Sequence, residues 1–200
     1  MRGCCPYMLG GPFMQPKLDP FTTLLELKSG ALDPERGTPQ VRTQEDLRGF
    51  FQVAPEDPDR VVYQVLPMPV PKENSEIQCS TTIIEPGTVG DEYYMTKGHF
   101  HAVRDRSEIY LGLSGEGRLI LATEDGRYRV EPIREGTINY VPGGWAHRSV
   151  NVGDDPLVFF AAYVGDAGQD YATIERDGFP VLIGPGDDGP AVRENPTYPS

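Results

Sequence analysis

The chain has 200 residues, enough for one domain with a sizeable core, and its 30 acidic and 18 basic side chains give a formal net charge of −12. This acidity argues against a general nucleic-acid or anionic-membrane binder, since both need a broad basic surface. No run approaches the roughly 18 continuous apolar residues of a membrane span. The three cysteines, Cys4, Cys5 and Cys79, leave one unpaired in any disulfide scheme, so we expect a cytoplasmic protein.

The N-terminal part of the chain contains few signals of regular structure. Residues 1–19 are rich in Gly and Pro and are expected to form a loose arm. One short helix is predicted near 44–52, because Leu47, Phe50 and Phe51 follow the i, i+3, i+4 spacing of an amphipathic helix. A single domain with an N-terminal extension is expected to span residues 20–182.

From about residue 60 the pattern is typical of β-strands. Short runs rich in β-branched and aromatic residues alternate with turns that contain Gly. The predicted strands are 61–66, 81–84, 108–113, 118–122, 128–132, 137–141 and 157–164. Many short strands of this kind predict an all-β, antiparallel sandwich or barrel. Residues 183–200 carry Gly, Pro and Asp with little to bury, and we expect a flexible C-terminal tail.

All three histidines of the chain fall in one metal-site pattern. His99 and His101 are two positions apart, so strand alternation places both on one face, while Glu108 follows seven residues later. His147 comes from a distant segment. One histidine alone would be better explained as an ordinary core or surface residue, but three at this spacing favour a site. Three imidazoles and one carboxylate suit one divalent ion, which we expect to be Fe²⁺, with Mn²⁺, Ni²⁺, Co²⁺ or Zn²⁺ as alternatives.

The segments around these residues resemble the cupins, small β-barrel proteins with an internal metal site. The run Pro142-Gly143-Gly144-Trp145-Ala146-His147, with Gly136 before it and Asn151 after it, matches the second cupin motif at every defined position. The first motif is looser, since Tyr93 replaces its usual Gly and His101 is separated from Glu108 by more residues than usual. The resemblance implies an antiparallel double-sheet jelly-roll barrel with an N-terminal extension and one or two short helices.

The longer spacing before Glu108 narrows the resemblance to the cupin-type glucose-6-phosphate isomerases. Residues 96–101, 107–110, 115–117, 140–142, 145–148 and 166–171 look like segments of that family. The resemblance implies interconversion of glucose 6-phosphate and fructose 6-phosphate, in glycolysis and gluconeogenesis. It implies that the metal is bound by His99, His101, Glu108 and His147. It further implies substrate contacts at Tyr63, Thr82, Thr96, Gly98, Tyr110, Tyr163 and Tyr171.

The chemistry leaves two routes open for moving hydrogen between C1 and C2 of the open-chain sugar. In a proton-transfer route Glu108 is the best candidate for the base, and a bound metal stabilises the cis-enediolate. A metal-assisted hydride shift needs no base. The family often has His where this chain has Gln169, which can hydrogen-bond a sugar but cannot shuttle a proton.

Several residues near the motifs have two interpretations. Simple alternation points Lys97 inward and Thr96 outward, so a role for Thr96 in the site requires a bulge at Gly98. Lys97 and Arg148 are either phosphate contacts or solvated surface charges. The four tyrosines are either substrate contacts or amphipathic residues at the barrel rim.

Two other functions fit the same ligand set. One is a cupin dioxygenase that uses Fe²⁺, an enzyme whose aromatic or enolic substrate would require an apolar pocket. The other is a non-catalytic cupin that binds sugar phosphate. A homodimer is expected by analogy with other cupins, with the N-terminal segment supplying added strands. The partner molecule is expected to be a small sugar phosphate, with no nucleic acid and no membrane.

Overall fold

In a computed structural model, which describes residues 16–34 and 37–199, the chain consists mainly of antiparallel β-strands and the loops between them. A 3-10 helix, Glu45–Leu47, and one α-helix, α1 Ala172–Asp177, are the helical elements of this described part. The strands are β1 Leu24–Leu25, β2 Leu32–Asp33, β3 Gln40–Thr43, β4 Val61–Pro67, β5 Ile77–Ile84, β6 Thr88–Val89, β7 Glu92–Tyr93, β8 Glu108–Ser114, β9 Glu116–Ala122, β10 Tyr128–Arg134, β11 Ile138–Val141, β12 Ala146–Asn151, β13 Leu157–Val164, β14 Val181–Gly186 and β15 Gly189–Glu194.

Two facing sheets form the body of the barrel. The larger has six strands in the order β11-β8-β13-β5-β4-β3, and the smaller has three in the order β10-β9-β12. Buried side chains from both sheets, among them Ile84, Phe159, Leu119 and Val150, belong to one core between them. This arrangement confirms the predicted all-β, antiparallel double-sheet fold. The two-stranded pairs β1-β2, β6-β7 and β14-β15 are added around it.

The N-terminal extension packs on the outer face of the six-stranded sheet. Leu25 and Leu32 belong to a second, smaller apolar cluster there, which also contains Ile83 and Val158. Gly30, in the turn between β1 and β2, has φ +74°, and a Cβ at this position would lie 2.8 Å from Val158 Cγ1. Its carbonyl accepts a hydrogen bond of 2.7 Å from the Thr81 hydroxyl. Glycine is therefore required for the turn to lie this close to the sheet.

The helix predicted near 44–52 is limited to the 3-10 turn Glu45–Leu47. Arg48 leaves the helical region with ψ 125°, and Gly49 follows with φ +90°, so the hydrogen-bond ladder cannot continue. Leu47, Phe50 and Phe51 are nevertheless buried in the main core, as their spacing indicated.

The C-terminal segment differs from the flexible tail expected at 183–200, because β14 and β15 pair there as a hairpin. Ile183 is buried, and the Asn195 side-chain amide donates a hydrogen bond of 2.8 Å to the Phe179 carbonyl. The tail was expected from the scarcity of apolar residues, but a hairpin held by backbone hydrogen bonds needs only a few buried side chains to anchor it. The bounds of the expected arm, 1–19, and of the expected domain, 20–182, stay predictions. Residues 1–15, with Cys4 and Cys5, lie outside the described residues. Within 16–34 and 37–199, no helix has the length and apolar character needed to cross a bilayer.

Candidate metal centre

Backbone pairing with β12 brings the histidines together. The His99 N–H donates to the His147 carbonyl at 3.2 Å, and the His147 N–H donates to the His99 carbonyl at 3.1 Å. Their rings consequently lie close, with centroids 4.5 Å apart. Phe100 is buried in the core, so His99 and His101 share the opposite side of their segment, as alternation predicts. Glu108, the first residue of β8, completes the group from the six-stranded sheet.

The four side chains present their ligand atoms to one point. One such atom from each of them lies within 4.8 Å of all the others. The Glu108 Oε2 atom is 3.1 Å from His101 Nε2 and 3.2 Å from His147 Nε2. Two ligands on opposite sides of one ion, with bonds of about 2.1 Å, lie roughly 4.2 Å apart. The observed spread is only slightly wider, so the cluster can hold a single metal ion.

The hydrogen bonds around the cluster leave lone pairs directed at this point. His101 Nδ1 is 2.9 Å from the Arg106 carbonyl, which can only accept, so the neutral ring carries its proton on Nδ1 and its lone pair on Nε2. Both ring nitrogens of His147 are buried without a hydrogen-bond partner, and the 3.2 Å contact with Glu108 lacks hydrogen-bond geometry. Buried polar atoms are normally paired. These residues therefore fit a divalent cation.

The protonation states are mostly those that a metal site needs. Burial opposes ionisation of Glu108, but the neighbouring imidazoles, led by His147, outweigh it and lower the pKa to about 2. Burial, followed by the charge of His147, lowers the pKa of His99 well below its usual value. At neutral pH the carboxylate is thus charged and His99 neutral. For His101 burial also acts to lower the pKa, but the hydrogen bonds with Glu108 and the Arg106 carbonyl, together with the charge of Glu108, outweigh it and raise the pKa.

A cavity of about 110 Å³ adjoins the four residues. Alternate residues of β4, β5, β8 and β13 point into it and supply Tyr63, Thr82, Tyr110 and Tyr163. The rest of its wall includes Thr96, Gly98 and Tyr171, and the Tyr171 ring lies 5.3 Å from that of His99. All seven residues that the resemblance implies as substrate contacts therefore line one cavity beside the candidate metal residues. Their role in binding stays a prediction.

A bulge at Gly98 places Thr96 in the cavity wall, as the sequence required. The Thr96 N–H donates to the Ser149 carbonyl at 2.9 Å, and the His99 N–H donates to the His147 carbonyl. The chain therefore advances three residues from Thr96 to His99 while the paired strand advances two, which is the extra residue of a bulge. Gly98 has φ +71°, and a Cβ there would lie 2.7 Å from Phe179 and 3.0 Å from the His147 carbonyl oxygen. Only glycine fits this position without displacement of a neighbour.

Arg148 is not a solvated surface charge, so that interpretation of the sequence is wrong, and the residue is also absent from the cavity wall where a phosphate contact is expected. Its side chain is 2% exposed and lies outside the cavity. The guanidinium donates to the Lys97 carbonyl from Nε at 3.2 Å and from Nη2 at 2.8 Å, and it lies 4.6 Å over the Phe179 ring. Arg148 thus supports the bulge from behind. Lys97 does line the cavity, with its ammonium 5.1 Å from the Phe50 ring.

Sequence reasoning missed Gln40 and Arg42, which line the cavity from β3. Arg42 lies opposite Tyr63 in the β3–β4 register. The alternation of polar residues in Gln40-Val41-Arg42 was an available signal, but it is too short to be distinguished from a loop. Among the described residues that line the cavity, Arg42 and Lys97 carry the positive charges and Glu108 the negative one. Gln169 also lines it.

Comparisons of the sequence with known proteins agree on one family. The family model described as "Glucose-6-phosphate isomerase (GPI)" matches residues 38–195. The glucose-6-phosphate isomerase of Thermococcus litoralis is 37% identical over 186 residues, which is 90% of this chain and 97% of that protein. That of Pyrococcus horikoshii is 40% identical over 173 residues, which is 82% of this chain and 89% of that protein. A solved structure of oxalate decarboxylase is 25% identical, with a TM-score of 0.42, over 54% of this chain and 27% of its own. With both sequence relatives matched over most of their length, the chain belongs to the cupin-type glucose-6-phosphate isomerase family.

Proposed function

We propose that this protein is a metal-dependent aldose–ketose isomerase that interconverts glucose 6-phosphate and fructose 6-phosphate. The observation that carries the proposal is that four metal-ligand side chains and seven expected substrate contacts line one cavity in a chain of this family. The wall is rich in Tyr and Thr, whereas a dioxygenase acting on an aromatic or enolic substrate needs an apolar pocket. A complete ligand set also exceeds what a non-catalytic sugar-phosphate binder needs, so the isomerase is the function favoured.

His99, His101, Glu108 and His147 would hold the ion, one per subunit. We propose Fe²⁺, with Mn²⁺, Ni²⁺, Co²⁺ and Zn²⁺ as alternatives that the same nitrogen and oxygen ligands accept. When bound, the ion would supply a Lewis acid that polarises the C1 and C2 oxygens of the sugar.

The tyrosines of the cavity are hydrogen-bond donors. Burial raises the pKa of Tyr63 and of Tyr163 to about 12, and it raises that of Tyr110 well above its usual value. These hydroxyls therefore keep their protons at neutral pH and can donate to the oxygens of a sugar phosphate. Gln169 supplies a side-chain amide to the same space.

Arg42 and Lys97 provide the charge that a phosphate needs. Both line the cavity of a chain whose formal net charge is −12, and no carboxylate among the described residues forms an ion pair with Arg42 within 4.0 Å. The Thr96 hydroxyl and the Gly98 backbone are close neighbours of Lys97 on the bulge. The phosphate dianion of the sugar is the substrate group that this local positive field would stabilise most.

Glu108 is the single carboxylate among the described residues of the cavity wall. Its Oε2 atom lies 3.1 Å from His101 Nε2 and 3.2 Å from His147 Nε2, so an ion bound there would draw on the lone pairs that a general base needs. We therefore propose that it acts chiefly as a ligand, and that hydrogen moves between C1 and C2 within the oriented substrate. Conversion of fructose 6-phosphate in D₂O distinguishes the routes. Product without deuterium at C2 supports the direct shift, and deuterium incorporation during one turnover supports proton transfer through Glu108.

The isomerase proposal is tested with chelator-treated protein that is reloaded separately with Fe²⁺, Mn²⁺, Ni²⁺ and Zn²⁺. We expect conversion of fructose 6-phosphate to be lost with chelator, restored by metal, and absent in His147→Ala. Metal content measured on the same samples makes a negative result interpretable. No turnover from wild-type protein with the site fully loaded would refute the proposal, and oxygen uptake would then be tested.

We further propose a cytoplasmic homodimer that acts in glycolysis and gluconeogenesis. The outer face of the six-stranded sheet supports the dimer, because the part left uncovered by β1 and β2 exposes Ile109, Ile138 and Tyr140, with Tyr140 directly opposite Ile109 in the β11–β8 register. Light scattering at micromolar concentration measures the assembly, and Tyr140→Glu on this face should shift it to monomer. A wild-type monomer would contradict the proposal.

A further inference from the structure

The residues between His101 and Glu108 carry two arginines that both reach one distant segment. Arg106 forms a two-pronged ion pair with Asp166, with Nε–Oδ1 at 2.7 Å and Nη2–Oδ2 at 2.9 Å. Arg104 Nη2 lies 2.6 Å from Asp170 Oδ2. Asp166 and Asp170 belong to residues 166–171, which follow β13 and lead into α1.

Backbone contacts join the same two segments between the ion pairs. The Val103 N–H donates to the Ala167 carbonyl at 2.9 Å, and the Asp170 N–H donates to the Phe100 carbonyl at 2.8 Å. Gly168 has φ +60°, and a Cβ there would lie 2.9 Å from the Ala102 Cβ. Residues 166–170 are thus held against residues 100–106 along their whole length.

Residues 166–171 form part of the cavity wall through Gln169 and Tyr171. Asp170 stands between these two residues, so its position fixes theirs. Arg104 contacts more than Asp170: Nη1 donates to the His101 carbonyl at 2.5 Å, and Nε donates to Glu124 at 3.0 Å. Its own carbonyl accepts a 2.6 Å hydrogen bond from Gly144, in the turn that leads to His147.

We propose that Arg104 is a positioning residue for the reaction, which sets the place of Gln169 and Tyr171 over the cavity through its ion pair with Asp170. The inference rests on the proposed isomerase function. The extra residues before Glu108 supply this arginine and the turn that directs it. Ion pairs with partly exposed arginines contribute little to global stability, so the main effect is on the geometry of residues 166–171.

Arg104→Gln and Asp170→Asn remove the charge pair with little change in shape. The side-chain amide introduced by Asp170→Asn keeps an oxygen that can accept from the Thr173 hydroxyl, which donates to Asp170 at 3.0 Å. We expect each variant to lower kcat/KM roughly tenfold, because small displacements of binding residues weaken the reactive geometry. The double variant should lose no more than either single one, and Arg104→Lys should recover part of the activity. Arg176→Gln is the matched control, since Arg176 pairs with Asp177 on the exposed side of α1.

Hydrogen exchange of residues 166–171 is the second measurement, and it does not depend on activity or on metal. Faster exchange there in Arg104→Gln, together with the kinetic loss and a near wild-type melting temperature, supports the proposal. Unchanged exchange overturns it, and so does faster exchange with kinetics equal to those of Arg176→Gln. Wild-type turnover tests the isomerase function separately. If the wild type is inactive, the exchange result still decides whether Arg104 positions the segment.

Discussion

Gly98→Ala tests whether the bulge behind the metal residues leaves room for a side chain. The position has φ +71°, where an L-residue pays about 1–2 kcal/mol. The new methyl group would lie 2.7 Å from Phe179 Cε2, 2.9 Å from Arg148 Cβ and 3.0 Å from the His147 carbonyl oxygen. These neighbours cannot yield easily, because Arg148 is buried and bonded to the Lys97 carbonyl, and the His147 backbone is paired with His99. Overpacking of this kind costs about 1–3 kcal/mol more, for a total of roughly 2–5 kcal/mol.

Thermal and urea unfolding measure this loss. For a chain of this size 1 kcal/mol corresponds to about 2–4 °C, so the melting temperature should fall by roughly 4–20 °C. Gly136→Ala is the matched control, since Gly136 has φ +80° with no heavy atom within 4 Å of a built Cβ. It should show the dihedral cost alone.

The same substitution should also damage the site. Relief of the overlap must move Phe179, the adjoining residues His147 and Arg148, or the segment that carries Thr96 and His99. Movement of either backbone segment displaces the reactive geometry, which lowers kcat/KM by up to about 100-fold. Metal-loaded Gly136→Ala should stay active. Equal losses of stability in Gly98→Ala and Gly136→Ala would refute the packing argument, whatever their activities.

Three further predictions concern charge and metal. Arg42→Ala should raise KM for fructose 6-phosphate about tenfold or more with little change in kcat, because a hydrogen bond to the charged phosphate is lost. Steady-state kinetics measure the effect, and the exposed control Arg129→Ala should show no such change. Burial raises the pKa of Glu92 despite its hydrogen bond from the Gln52 N–H, so its contribution to stability is lost as pH rises from 4.5 through that raised pKa. Glu92→Gln should therefore flatten the fall in melting temperature over this range, and parallel curves would contradict the argument. Chelation should lower the melting temperature of metal-loaded protein by roughly 5–10 °C, which is the stabilisation expected when the free ion concentration is about 100 times its Kd. A similar fall on chelation of His147→Ala would show that the ion binds elsewhere.

The sequence was most informative where spacing expresses chemistry directly. His99 and His101 share a face in any extended segment, and the turn before His147 has a recognisable pattern of Gly and Pro, so these local features predict the candidate metal residues. Strands such as β4, β8 and β13 have β-branched and aromatic residues in short runs. These features depend on near neighbours in the sequence, which is why they were predictable.

Features set by distant partners were not predictable. β12 reads as Ala-His-Arg-Ser-Val-Asn, a polar run without alternation, yet all six residues are buried because other segments cover both of its sides. The interior position of Arg148 depends on Phe179 and on the Lys97 carbonyl, far away in the sequence. Arg42 reaches the cavity because β3 pairs with β4, and no local pattern reports that pairing.

The pairing of His99 with His147 also has a consequence for the order of folding. Hairpins such as β9–β10 need only a short loop to close, but this pairing joins segments that are far apart in the chain and carries the ordering cost of a long loop. We therefore expect the sheets to gain their hairpins first and the four ligand residues to meet late. A chain stalled before that step would have much of its secondary structure but no site. The rate at which refolding protein acquires the ability to bind metal would then report the final closure of the barrel rather than its collapse.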